Sequence, residues 1–233
     1  MSKRTPQAKS ASTNPTKLAK SEIVGICQSM VSAGLVIGTA GNVSQRISDS
    51  GSVAITPSSK DYSCLDPNDV MVVNLDGDVL EGDRNPSIET PMHLAIYKAR
   101  PDVSAVIHTH SVYATTLAVM RIPLPPIIDE FVIRLGGQVE VAKYAMPGTE
   151  ELARYALEAL GPRNGVLLAN HGPLCCAGTL HDALHNAQLL ERAAQIYLLA
   201  RAAVGLKKVS TISAEAQAQQ QSMFEMFKRV KRR

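Results

Sequence analysis

The 233-residue chain has no tryptophan and only three phenylalanines, so whatever core it builds must be aliphatic. It also lacks any apolar run near the ~20 residues needed for a membrane-spanning helix, which argues against a membrane protein of that type. The N-terminus has no apolar segment of the kind a secretory signal needs. Four cysteines, Cys27, Cys64, Cys175 and Cys176, form no CxxC and no framework spacing, which predicts buried thiols in a reducing, cytoplasmic setting. Acidic residues are missing from both ends. Residues 1–20 and 228–233 carry five bases each, leaving 14 bases against all 21 acids, a net −7, in residues 21–227. A body of that sign is poorly suited to a nucleic-acid backbone, and the basic ends read as solvated tails.

What is present, at 45% hydrophobic residues, can build a sizeable core. Residues 1–16 are rich in Ser, Thr, Pro, Lys and Gln and are expected to be a disordered basic tail. A single domain is expected over residues 17–210, then a C-terminal helix and basic tail over 211–233. The spacing Leu18, Ile23, Ile26, Cys27, Met30, Val31 is helical, with Gly34 where a cap belongs. Short β-type runs follow (NVSQRI, SVAITP, VMVVNL and DVL), the last two joined by a turn at Asp76-Gly77. Helices are predicted over 88–99 with Ser87 as cap, from Val112, over 150–160, over 180–204 and over 213–228. Strands are predicted at 103–108, 139–142 and 165–169. Their alternation predicts an α/β fold with one central sheet between helices.

The sharpest motif is Val106-Ile107-His108-Thr109-His110. Residues two apart on a strand share a face, so both imidazoles converge at the end of an apolar run. Asn170-His171-Gly172 follows a second apolar strand in the same context. Three neutral imidazoles would leave a divalent metal, most naturally zinc, an open position for substrate. His181 and His185, four apart on the long helix, lack a third partner and read as a solvated face. His93 reads as a packed histidine or a partner behind the metal ligands. Glu89 opens a helix, where the helix dipole alone would account for it. Beside a zinc it could instead transfer protons. Gly38–Ser44 and Thr56–Lys60 are small-residue turns able to cradle an anion, provided the fold brings them together with Ser87.

Five segments in order, GTAGNVS, ITPSS, PSIETPMH, AVIHTHS and LLANHG, resemble the class II aldolase/adducin family over roughly residues 18–205. The resemblance implies a three-layer α/β/α fold with a central, mostly antiparallel sheet, assembled as a homotetramer with active sites at subunit interfaces. It implies one Zn²⁺, or another divalent metal, per subunit, held by His108, His110 and His171 with Glu89 approaching it. It further implies Glu89 as the catalytic acid/base and Gly41, Asn42, Ser58, Ser59 and Ser87 as the phosphate pocket.

The implied reaction is reversible cleavage of a ketose 1-phosphate, L-fuculose 1-phosphate or a related deoxy- or thio-pentulose 1-phosphate, through a metal-stabilised enediolate. The products would be dihydroxyacetone phosphate and an aldehyde. Partners are then phosphorylated ketoses and aldehydes, with no nucleic acid and no membrane. Ile88 stands where the family's phosphate motif has a second serine. The family's aldehyde-end tyrosines have no counterpart in Ile127–Phe131 or after Tyr197, leaving Asp129, Glu130 or water as donor. Pentulose-5-phosphate epimerases, sugar-phosphate dehydratases and decarboxylases of the same family keep the same imidazoles. A non-catalytic, adducin-head-like interaction module is the alternative of a different class.

Overall fold

The computed structural model describes residues 14–47, 50–204 and 209–230, with side chains to residue 228. Its helices are α1 (Pro15–Ser32), α2 (Thr90–Ala99), α3 (Val112–Met120), α4 (Asp129–Leu135), α5 (Glu150–Leu160), α6 (Leu180–Val204) and α7 (Ala214–Val230). The strands are β1 (Asn42–Arg46), β2 (Ser52–Ile55), β3 (Met71–Asn74), β4 (Val79–Glu81), β5 (Ala105–His108), β6 (Val141–Ala142), β7 (Gly165–Leu168) and β8 (Gly172–Ala177). They form one eight-stranded sheet in the order β4-β3-β2-β1-β5-β8-β7-β6. Every pair is antiparallel except β6 with β7. Among the described residues no helix is long and apolar enough to cross a membrane.

Strand alternation divides the core in two. Val43, Ala54, Ile107, Leu167 and Cys175 face one way and pack under α1, α3, α4 and α6. Val53, Ile55, Val106, Leu168 and Cys176 face the other way and pack under α2 and α5. Each fully buried Leu, Ile or Val contributes about 1.5–3 kcal/mol by leaving water. With both sheet faces covered, the result is the expected α/β/α sandwich.

The same register decides where the loops meet. Asn42 pairs with His108, and His108 with Leu174, while Leu168 pairs with Gly172 and Ser44 with Ile55. Neighbouring strands run in opposite directions, so the start of β1 and β8 and the end of β2, β5 and β7 all lie at one end of the sheet. That end collects the segments Gly38–Gly41, Thr56–Ser59, Thr109–Ser111 and Ala169–His171.

Several boundaries differ from the sequence reading. Disorder was expected through residue 16, but α1 starts at Pro15. The side chain of Asn14 caps it, accepting the Thr16 N–H at 2.9 Å, and proline suits the first helical position. Residues 1–13 lie outside the described residues. Lys228, assigned to a solvated tail, instead reaches Asp102 at 3.2 Å and the Pro162 carbonyl at 3.0 Å. The α2 cap is Glu89 rather than Ser87. Helix α4 and strand β8 have no counterpart among the predicted elements.

Candidate active site

Strand β5 ends in His108, whose ring is fully buried on the α2 side of the sheet, while His110 just beyond it is solvent-exposed. His171 comes from the β7–β8 connection, where Asn170 adopts a left-handed φ of 56°. The guanidinium of Arg121 donates to the Asn170 side chain at 2.7 Å, securing that turn. The three imidazoles sit edge to face with ring centroids 4.7–5.0 Å apart, and one nitrogen from each lies within 4.8 Å of the others. Thus the register brings together the three histidines singled out in the sequence.

Their close approach depends on two glycines. A Cβ on Gly172 would collide with the Thr109 carbonyl and stand 3.2 and 3.3 Å from the His110 and His108 rings. One on Gly41 would meet the His108 carbonyl oxygen at 2.5 Å, and its φ of +77° also favours glycine.

The protonation pattern follows from burial and partners. Burial pushes the His108 imidazole down to about 3, so it is neutral at pH 7. Its Nδ1 donates to the Pro173 carbonyl at 2.9 Å, which leaves Nε2 with a bare lone pair facing His110 Nε2 at 3.0 Å. Two imidazole nitrogens that close repel each other unless a proton or cation lies between them. His110, although it reaches solvent, is also pushed down, by the partial burial of its ring beside His108 and then by His171.

Glu89 completes the group. Its Oε2 lies 3.4 Å from His108 Nε2, and its Oε1 lies 3.5 Å from His171 Nε2 and has no hydrogen-bond partner although buried. The carboxylate makes no capping bond to α2 and is held instead by Asn42 beside two imidazoles. Burial pushes the carboxyl up, but His108, His171 and the Asn42 amide outweigh it and hold it below its usual range. Three imidazole nitrogens, an orphaned carboxylate oxygen and a tight nitrogen–nitrogen approach together fit a divalent cation. The nitrogen-and-oxygen donor set suits zinc and its neighbours among the transition metals.

Behind the carboxylate lies a buried polar chain. Asn42 Nδ2 donates to Glu89 Oε2 at 2.7 Å, and Asn42 Oδ1 lies 2.6 Å from His93 Nε2. His93 Nδ1 is 2.6 Å from Ser44 Oγ, which is 2.8 Å from Tyr97 Oη. His93 therefore stands behind the site rather than in it. Ser44 and Tyr97 were missed in the sequence, though a signal existed: Ser44 shares the strand face of Asn42, and Tyr97 follows His93 by one helical turn.

The small-residue turns do meet. An isolated bridge joins Pro57 to Pro86, Ser58 Oγ donates to the Pro86 carbonyl at 2.8 Å, and the Ser87 N–H donates to Thr56 O at 3.0 Å. Tyr62 Oη donates to the Gly41 carbonyl at 2.6 Å, tying in the first turn. Ser59 has a φ of 57°. The side chain of Asn42, assigned to the phosphate pocket in the sequence reading, is occupied by Glu89 and His93. Asp129 and Glu130 are exposed at the start of α4, where Asp129 receives the Gln220 amide at 3.1 Å. His181 and His185 are exposed on α6, as expected.

Comparison with known proteins agrees with this arrangement. Residues 21–198 match the family model described as class II aldolase and adducin N-terminal domain. A 5-deoxy-D-ribulose 1-phosphate aldolase of Bacillus thuringiensis serovar kurstaki is 43% identical over 178 residues, 76% of this chain and 83% of that protein. A 3-oxo-tetronate 4-phosphate decarboxylase of Escherichia coli (strain K12) is 33% identical, over 77% of this chain and 86% of its own. The solved structure of an L-fuculose 1-phosphate aldolase superimposes with a TM-score of 0.84 at 37% identity, covering 89% of this chain and 96% of that one. The chain belongs to the class II aldolase and adducin family, as a metal-dependent aldolase.

Proposed function

We propose that this protein is a zinc-dependent aldolase that reversibly cleaves a ketose 1-phosphate to dihydroxyacetone phosphate and an aldehyde. The substrate class is L-fuculose 1-phosphate or a related deoxy- or thio-pentulose 1-phosphate. The observation that carries this reading is the convergence of three imidazoles with a carboxylate whose Oε1 has no partner. His108, His110 and His171 would hold the ion, with Glu89 close to it. A divalent ion bound there supplies Lewis-acid stabilisation of the negative charge that develops on the ketose oxygens.

The chain's own residues do the rest. Cleavage of the carbon–carbon bond leaves an enediolate on the phosphorylated fragment. In the synthetic direction Glu89, ionised and held by Asn42, would remove the proton from the carbon of dihydroxyacetone phosphate through its open oxygen. In cleavage it would first take up a proton, balanced by the one the substrate hydroxyl loses as the aldehyde forms, and then hand it to the enediolate carbon. Gly41, Ser58, Ser59 and Ser87 would hold the phosphate end, with Asn42 contributing only through its main chain because its amide is engaged by Glu89 and His93. The left-handed backbone at Gly41 and Ser59 would let the chain pass close to it. Fixing that end would keep the reacting carbons in register with the proton-transfer group. The working assembly is taken to be a homotetramer and the compartment the cytoplasm.

The test is a coupled assay for dihydroxyacetone phosphate across a panel of ketose 1-phosphates, with metal content measured on the same preparation. The 43%-identical relative places 5-deoxyribulose 1-phosphate first in that panel. Zinc-loaded protein that releases dihydroxyacetone phosphate from none of them refutes the proposal.

A further inference from the structure

The polar chain between β1 and α2 is buried throughout: Asn42, Ser44, His93 and Tyr97 are each at most 4% exposed. Its direction can be deduced. Burial pushes the His93 imidazole down to about 4, so the ring is neutral at pH 7 and carries one proton. Suppose that proton sat on Nδ1. His93 Nε2 would then present a lone pair to Asn42 Oδ1 at 2.6 Å, two acceptors in contact. Rotating the Asn42 amide to relieve this would aim its oxygen at Glu89 Oε2 at 2.7 Å, a worse clash of acceptors. With the proton on Nε2, every link is satisfied. Tyr97 Oη donates to Ser44 Oγ, Ser44 Oγ donates to His93 Nδ1, His93 Nε2 donates to Asn42 Oδ1, and Asn42 Nδ2 donates to Glu89.

We propose that Tyr97, Ser44 and His93 are positioning residues that lock the Asn42 amide, so that one Glu89 oxygen is held and the other stays open for proton transfer. The inference rests on Glu89 being the proton-transfer group. None of the three touches the carboxylate itself. Each fixes the orientation of the next, and the negative charge at the end of the chain favours donors pointing toward it. The arrangement also explains how a buried carboxylate can have one oxygen bonded and its other oxygen without a partner.

Two measurements test the chain independently. Nitrogen-15 NMR of the imidazole in metal-free protein is expected to show His93 as the Nε2–H tautomer, and the Nδ1–H tautomer overturns the proposal. Kinetics of Ser44→Ala, which deletes one hydroxyl, are expected to show kcat down about tenfold, the worth of one buried hydrogen bond to the transition state. KM and zinc stoichiometry should stay within about twofold in that variant. Tyr97→Phe, one link farther away, should show the same split at roughly threefold and serves if Ser44→Ala does not fold. Wild-type kcat in both variants, or parallel losses in KM and bound zinc, would overturn it. Should the wild-type protein cleave no ketose phosphate, the functional reading fails, while the tautomer still decides the chain.

Discussion

Replacing Gly172 with alanine adds a single methyl at the most crowded point of the sheet, and its effect can be worked from the neighbours. The new Cβ would overlap the Thr109 carbonyl oxygen and press on the His108 and His110 rings at 3.3 and 3.2 Å. Thr109 itself is tied to the opposite strand, its N–H held by Pro173 O at 3.0 Å next to the paired residues of β5 and β8, so the contact is relieved mainly by moving the strands. The ends of β5 and β8 must therefore separate by roughly an ångström, an overpacking cost of about 1–3 kcal/mol. The same displacement carries His108 and His110 away from His171, for which a loss of about 10–100-fold in metal affinity is expected.

Urea unfolding of metal-free protein measures the first quantity, and a zinc titration measures the second. Gly25→Ala is the control. It lies inside α1 with nothing within 4 Å of an added Cβ, so alanine there should stabilise by up to about 1 kcal/mol. A Gly172→Ala protein as stable as wild type that binds zinc with undiminished affinity would refute the packing argument.

Glu89→Gln should keep bound metal but lose most turnover, about 10²–10⁴-fold as for a missing general acid–base group, and wild-type rates would remove Glu89 from the chemistry. His171→Ala should bind zinc far below stoichiometry by elemental analysis; full occupancy would mean another residue supplies the third nitrogen. Asp102 offers a pH prediction. Burial pushes its carboxyl up, but paired bonds from Arg100 at 2.8 and 2.7 Å and the Lys228 ammonium hold it well below the carboxylate range. A depressed folded value means this stabilisation is present above the unfolded value of about 3.9 and is lost as pH falls below it. Asp102→Asn should therefore cost roughly 3 kcal/mol at pH 7 and flatten the acid limb of the stability profile; an unchanged limb between pH 5 and 2 would contradict it.

The legible parts of the fold were those with long, consistent patterns. Helices α5 and α6 occupy the predicted 150–160 and 180–204, and the β1–β4 meander falls on the four short β-type runs. Helix α4 is only seven residues, too short to establish a period. Strand β8 opens with Gly172-Pro173, a pair that reads as a turn. It is a strand nonetheless because β5 and β7 pair with it on both sides, a tertiary condition no local window contains. In the site, alternation on β5 was enough to bring His108 and His110 together, and a matching strand end supplied His171. The use of the Asn42 side chain was not legible, since it depends on α2 crossing over β1, which places Glu89 and His93 on either side of one amide.

The bond from His108 to the carbonyl of Pro173 has a genetic consequence. That oxygen belongs to the main chain and also receives the Thr109 N–H, so it anchors a ring and a strand at once. No substitution at position 173 removes that oxygen, whereas a side-chain acceptor in the same place would be lost by one nucleotide substitution. The tautomer of the innermost imidazole is thus inherited with the backbone course itself, and selection has to guard the histidine and Gly172, which lets the two strands meet.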